Sequence, residues 1–268
     1  MNSIGRASKH SLQARIFQGL GAQTFAQAVQ LFIRFSEVPL LLYFWGPRLY
    51  GEWLMLSAIP VYLSMADGGF CTAACREMTM RASAGDRKGA IATFQSTWVL
   101  ILLISIAAGC LAFMCIAFLP LRDWFSFAAI TEQQVQMVFI LLTGHVLIGF
   151  QGGLINGGFW VAGKYPLGMV LVALTQLLEF VGLAVTVTLG GGPARAAAAY
   201  LGGRIIGTVI LWLGQQRVST WMKHGFAHAS LFELKRIAVP AFASLALPLG
   251  NALNIQGIRL VVGLALGP

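Results

Sequence analysis

Two stretches of this chain, Gly89–Leu121 and Gln133–Gly163, each run for more than 30 residues without a single Asp, Glu, Lys or Arg. A helix needs about 20 predominantly apolar residues to cross the hydrocarbon core of a bilayer, so both are long enough to span. Ile237–Ile258 is a third such run, and Trp53–Cys75 is broken only by Asp67. A first span extends from Ile16 through Arg34 to Trp45, and Tyr165–Gly190 and roughly 196–216 complete the pattern, with the seventh span beginning near Leu234. Apolar alternation is missing and glycine is scattered through the runs, which excludes strands and predicts an all-α, polytopic membrane protein. Composition agrees. Of the 268 residues 57% are hydrophobic and 10% charged, whereas soluble domains carry about 25% charged residues. Too few charges remain to cover an aqueous surface, which excludes a soluble enzyme and a disordered chain.

Basic side chains outnumber acidic ones, 18 to 9, but they flank the apolar runs instead of forming one patch, which argues against nucleic acid as a partner. Their placement predicts orientation. With the N-terminus cytoplasmic, twelve fall inside: Arg6, Lys9, Arg15, Arg76, Arg81, Arg87, Lys88, Lys164, Arg217, Lys223, Lys235 and Arg236. Arg48, Arg122 and Arg195 fall outside, and Arg34, Arg204 and Arg259 lie within spans. The positive-inside rule therefore sets the N-terminus in the cytoplasm. The first span is long, glutamine-rich and without a signal-peptidase site, so it is expected to be retained. The four cysteines, Cys71, Cys75, Cys110 and Cys115, have no paired spacing and no nearby histidines, and read as packing residues.

The first span ends in Gly46-Pro47 and the sequence ends in Gly267-Pro268. Both of the spans concerned begin inside and are rich in amide side chains. An even number of spans precedes the seventh, so the two would start in the same orientation, as in parallel-repeat transporters. On this reading residues 1–232 form a six-helix lobe, and residues 233–268 are the first helix of a second lobe that is mostly missing.

The chemistry concentrates on the first span. Gln23, Gln27, Gln30, Arg34 and Glu37 are spaced 4, 3, 4 and 3 and share one helical face. In hydrocarbon each polar group needs a partner or water. The face reads either as the wall of a water-filled cavity or as a helix–helix hydrogen-bonding seam, with Arg34 and Glu37 neutralising each other. Arg204 lies between Tyr200 and Thr208, each one turn away, and Arg259 follows Asn251 and Asn254. Three intramembrane arginines against Glu37 and Glu179 point to a positive lumen and a phosphate-bearing anion, since the guanidinium fork matches phosphate. Snorkelling or a private Arg204–Glu179 ion pair is the competing reading. Glu179, with Thr175 and Gln176 beside it, is a second candidate role, binding a coupling proton or cation. Asp67-Gly68-Gly69 is expected to bend the second span. His145 reads as a packed, hydrogen-bonded residue.

No phosphate-binding Gly-x4-Gly-Lys-Ser/Thr loop, no metal-ligand spacing and no Ser-His-Asp set occurs, so no catalytic residues, metal or cofactor are expected.

The stretch Pro39-Leu-Leu-Leu-Tyr-Phe-Trp-Gly-Pro-Arg-Leu-Tyr-Gly-Glu-Trp-Leu54, followed by Tyr62-Leu-Ser-Met-Ala-Asp-Gly-Gly-Phe70, resembles the start of polysaccharide (O-antigen type) flippases. These belong to the multidrug/oligosaccharidyl-lipid/polysaccharide exporter superfamily. The turn Gly157-Gly-Phe-Trp-Val-Ala-Gly-Lys-Tyr165 is similar to that family's connection between spans four and five. Here Trp45 precedes Gly46 and Gly68 follows Asp67, a slight departure from the family's Leu-Gly and Asp-Leu-Gly elements. The resemblance implies a MATE-like fold of two six-helix lobes around an alternately opening cavity in a bacterial inner membrane. It implies a polyprenyl-pyrophosphate-linked glycan as cargo and cationic cavity residues that meet the pyrophosphate; the polar-face argument, not the family motifs, nominates Arg34, Arg204 and Arg259 for that part, with Gln23, Gln27, Gln30, Glu37, Asn251 and Asn254 lining the cavity. Polysaccharide polymerase or export machinery would be a further partner. The competing readings are a drug/cation antiporter of the same superfamily, a membrane glycosyl- or acyltransferase, and a non-transporting membrane scaffold.

Overall fold

The computed structural model describes residues 3–64, 69–118, 127, 129–244 and 250, with side chains from Phe17 onward except at Ile59, Val61 and Ala117. Among these every regular element is a helix: α1 Ser3–Leu63, α2 Phe70–Ser83, α3 Arg87–Phe118, α4 Glu132–Val161, α5 Tyr165–Thr188, α6 Pro193–Val218, and α7 over 231–244. Asp67, Asn251, Asn254, Arg259 and the terminal Gly-Pro pair lie outside the described residues.

α1 is two spans joined at a break. Gly46 adopts φ 74° and ψ 169°, outside helical space, so the chain turns there and continues helically from Pro47. Glycine tolerates that left-handed φ without a Cβ clash, and the following proline disfavours the helical conformation at its predecessor. The indole of Trp45 fastens the turn by donating to the Gly191 carbonyl at 2.9 Å, in the connection between α5 and α6. The second arm of α1 ends at Leu63, and α2 begins at Phe70 behind Gly69, which has φ 74°.

Glu52, fully buried, anchors the same end of the molecule. Its carboxylate accepts the Ala129 and Ile130 amides at 2.7 and 2.9 Å. Those amides lead into α4, where the Gln134 side chain accepts the Thr131 amide. A fully buried carboxylate is retained only when its charge is met by donors, which these amides supply.

Two apolar cores sit at opposite ends of the bundle. One gathers Leu41, Trp53, Leu56, Val138, Leu183 and Ala196; the other gathers Ala74, Met78, Phe94, Leu154, Met222 and Ile237. Helix ends therefore alternate from one side to the other, as consecutive spans must. The second core lies at the end that carries Arg76, Arg87, Lys88, Lys164 and Lys223, while Arg48 and Arg195 belong to the first. In between, α6 packs against α4 and α5, α1 against α5, and α2 against α3 and α4.

The stretches Phe17–Ala58, Arg87–Ile116, Glu132–Val161, Tyr165–Thr188 and Pro193–Val218 are long and apolar enough to cross a membrane. Their outward faces carry large apolar side chains such as Leu103, Phe113, Ile140 and Val185, each more than half exposed. An aqueous surface would not carry such a belt; a lipid-facing one does. The chain is an integral membrane protein.

Candidate functional site

Small residues on α6 set up the site. A Cβ at Gly203 would stand 2.9 Å from Glu179 Cα, and one at Gly207 would collide with the Thr175 side chain. The Gly-x3-Gly spacing thus lets α5 and α6 approach at backbone distance, the device membrane helices use in place of a hydrophobic driving force. The residue after Gly203 is Arg204, and the close approach lays it on Glu179.

Glu179 is buried, with its side chain 4% exposed against 23% for Arg204. Arg204 Nη2 donates to Glu179 Oε2 at 3.1 Å, and Nε stands 2.9 Å from Oε1. The Nε–H points at His145 Nε2, 3.1 Å away, and Oε1 has no aligned donor among the described residues. His145 Nε2 is also 3.2 Å from Glu179 Oε2. One ring nitrogen cannot accept from Arg204 and donate to Glu179 at once, so the position of one proton selects between two arrangements. α4, α5 and α6 each contribute one of these three side chains.

α1 closes the cluster on its fourth side. The Tyr200 hydroxyl donates to Glu37 Oε1 at 3.2 Å, and its ring stands edge-on to His145 with centroids 5.6 Å apart. One turn along α6, Tyr200 therefore stands between the α1 carboxylate and the cluster around Glu179. At the other end of the polar face, the Tyr165 hydroxyl of α5 donates to Gln23 Oε1 at 3.1 Å. Between these tethers α1 packs on α5 through Ala26, Val29 and Ala173. Gln30 is half-buried, and Gln27 and Arg34 are exposed.

The predicted polar face thus divides. Its two ends, Gln23 and Glu37, are tied into the lobe, as the hydrogen-bonding reading of that face has it, while Gln27 and Arg34 look outward. The arginines divide as well. Arg204 is engaged with Glu179, the private pair that competed with a free lumenal cation; Arg34 is exposed; Arg259 is outside the described residues. Asn251 and Asn254 share that position with Arg259. His145, read from sequence as a packed, hydrogen-bonded residue, is a member of the charged cluster. Its only sequence signal is an ionisable side chain in the middle of an apolar span. Tyr200 had a clearer one, lying four residues before Arg204.

No protein-family model and no curated protein sequence matches the chain. Solved structures do. The chain superposes on an outward-facing multidrug resistance MATE family transporter of the MOP superfamily with a TM-score of 0.68 and 19% identity, over 94% of this chain and 62% of that one. It superposes equally on a MOP superfamily transporter from Pyrococcus furiosus, with a TM-score of 0.69, 18% identity and the same coverages. An inward-facing MATE family transporter matches with a TM-score of 0.59 and 17% identity, over 80% of this chain and 51% of that one.

The fold is MATE-like. This chain spans about three-fifths of the length of the first two transporters it matches. For the Pyrococcus protein, a reversed polarity of the binding pocket is taken to suggest a different function.

Proposed function

We propose that the chain supplies the first lobe, and the opening helix of the second, of an alternating-access transporter that moves a polyprenyl-pyrophosphate-linked oligosaccharide from the inner to the outer leaflet of a bacterial inner membrane. The basic end of the bundle is cytoplasmic in this reading. The observation that carries it is the exposed guanidinium of Arg34, set mid-span on α1 within a MATE-like fold. An arginine at membrane depth seldom faces lipid, so an exposed one belongs on a water-filled lumen, where its planar fork suits a pyrophosphate. Arg259 is a second cation for the same headgroup. Arg204 takes part through its contact with Glu179, and the exposed Gln27 offers its amide to sugar hydroxyls.

The test is flipping of a short-chain polyprenyl-pyrophosphate oligosaccharide by the intact protein in proteoliposomes. Arg34→Gln is expected to lower flipping about tenfold, the scale of one charge-assisted hydrogen bond. Equal flipping by parent and variant would remove Arg34 from the cargo site. No flipping by the parent protein would remove the cargo assignment.

A cation-coupled antiporter is the second reading, and a specific observation favours it. His145 and Arg204 meet at the buried Glu179 in two arrangements that differ by the position of one proton, and the Tyr200 ring stands against His145 while its hydroxyl binds Glu37 on α1. Proton- or cation-driven efflux of tetraphenylphosphonium, without glycan flipping, would establish it. Coupling through Glu179 is compatible with either cargo.

A further inference from the structure

At the basic end, α2 and α7 lie antiparallel and meet along a two-part seam. The inner part is apolar: the Phe70 and Phe242 rings stand edge-on with centroids 6.3 Å apart, and a Cβ at Gly69 would collide with the Ala241 carbonyl oxygen. Two to three turns further along, the seam becomes ionic. Arg81 Nη2 meets Glu233 Oε2 at 2.8 Å, Arg81 Nε meets Glu77 Oε1 at 2.9 Å, and Arg236 Nη2 meets Glu77 Oε1 at 3.0 Å. Arg81 also donates to the Gly89 carbonyl at 2.8 Å, which fixes it to the start of α3. The four charges sum to zero, and Arg81, Glu77 and Glu233 are 8%, 15% and 13% exposed.

The connector that precedes α7 is fastened to the lobe throughout. Gln215 donates to the Met222 carbonyl, and Gln95 both donates to the Lys223 carbonyl and accepts the His228 amide. The final staple is Ser96 Oγ, which accepts the Ser230 amide at 2.8 Å. Ser230 Oγ in turn accepts the Phe232 amide at the start of α7. Beyond Ser230 the contacts with the lobe are the ion pairs at Glu233 and Arg236, a hydrogen bond from the Thr93 hydroxyl to Glu233 at 3.4 Å, and Leu234 and Ile237 in the second apolar core.

We propose that this arrangement is a latch: the Glu77–Arg81–Glu233–Arg236 cluster joins α7 to α2 and holds the cytoplasmic side of the transporter shut until it opens to admit cargo. The assignment rests on the alternating-access reading, with α7 as the opening helix of the second lobe. An ionic closure suits a reversible contact. The attraction between the charges is largely offset by the cost of taking them out of water, so separating and rehydrating them changes the free energy little. The apolar part of the seam, where Ile237 and Ala241 are buried against α2, has no such offset and sets most of the cost of opening. The neutral total also means that closing the latch leaves no charge stranded in the seam.

Spin labels on Lys164→Cys and Lys235→Cys report the separation of α7 from the lobe, in intact protein whose four native cysteines are replaced by alanine. Pulsed dipolar spectroscopy in lipid nanodiscs should show a short-distance population in the parent. Glu233→Gln and Arg236→Gln should each raise the long-distance fraction at least threefold, and the double variant should raise it further. Arg236 is half exposed, so its variant folds even if Glu233→Gln does not. An unchanged distance distribution in variants that elute and melt like the parent would overturn the latch. The readout is independent of cargo: a distance response without glycan flipping keeps the latch and removes only the flippase assignment.

Discussion

His145 Nε2 lies 3.2 Å from Glu179 Oε2, on a helix 34 residues away in sequence, and the same nitrogen is the acceptor for Arg204 Nε–H. The two contacts demand opposite protonation of one atom, so the tautomer of the ring decides which of them is a hydrogen bond. Replacing Glu179 by glutamine leaves the Arg204 cation without its counter-ion. Removing one partner of a buried ion pair costs about 3–5 kcal/mol, and the partial exposure of Arg204 places the expected loss at the lower end. Thermal unfolding of the variant in detergent, followed by tryptophan fluorescence, should show a clear fall in Tm. Glu179→Gln combined with Arg204→Met should recover part of it.

The close approach of α5 and α6 distinguishes two adjacent glycines. Gly202 has open space where a Cβ would be, whereas a Cβ at Gly203 meets the Glu179 backbone at 2.9 Å. Gly202→Ala should be neutral or gain up to about 1 kcal/mol from helix propensity. Gly203→Ala should lose about 1–3 kcal/mol as the helices are forced apart. Unfolding of the two variants side by side checks the packing directly.

His224 packs edge-on against Phe94 and Trp98 in the connector before α7. Burial lowers its pKa from the ordinary value of 6.5. The unfolded chain therefore takes up this proton at a higher pH than the folded one. The neutral ring's contribution to stability is complete above about pH 6.5 and is lost as pH falls from there through the lower folded value. A Tm profile from pH 8 to pH 5 should fall on the acid side, and His224→Phe should flatten that fall. An unchanged slope in the variant would remove His224 as its cause.

Much of the fold was legible in the sequence because charges are excluded from hydrocarbon. The uncharged runs at 89–121 and 133–163 mark α3 and α4, and Gly46-Pro47 marks the break in α1. The site was legible in pieces. A face of five polar residues on α1 follows from 3.6-residue periodicity, but its division into tethered ends and an exposed middle depends on Tyr165 and Tyr200. Those partners are 142 and 163 residues away. The Arg204–Glu179 pair was foreseeable as one option because α5 and α6 are sequential and therefore adjacent. That the pair forms follows from the Gly203 and Gly207 approach, and His145 joins it only because α4 packs on α6, a tertiary fact with no local signature.

The latch makes a prediction about salt as well. Arg236 is the most exposed member of the cluster, so its pair with Glu77 is open to screening. Raising ionic strength from 0.05 to about 0.5 M should shift the spin-label distances of the parent toward those of Arg236→Gln, and should leave that variant itself less affected.

The most direct test of the central claim is mass spectrometry of lipid-linked glycans after depletion of the intact gene product in its native cell, with leaflet assigned by accessibility to an added glycosidase. The account predicts accumulation of a polyprenyl-pyrophosphate-linked glycan in the cytoplasmic leaflet, reversed by the parent protein and poorly reversed by Arg34→Gln. An unchanged glycan pool, accompanied by increased sensitivity to toxic organic cations, would contradict it and establish the antiporter reading.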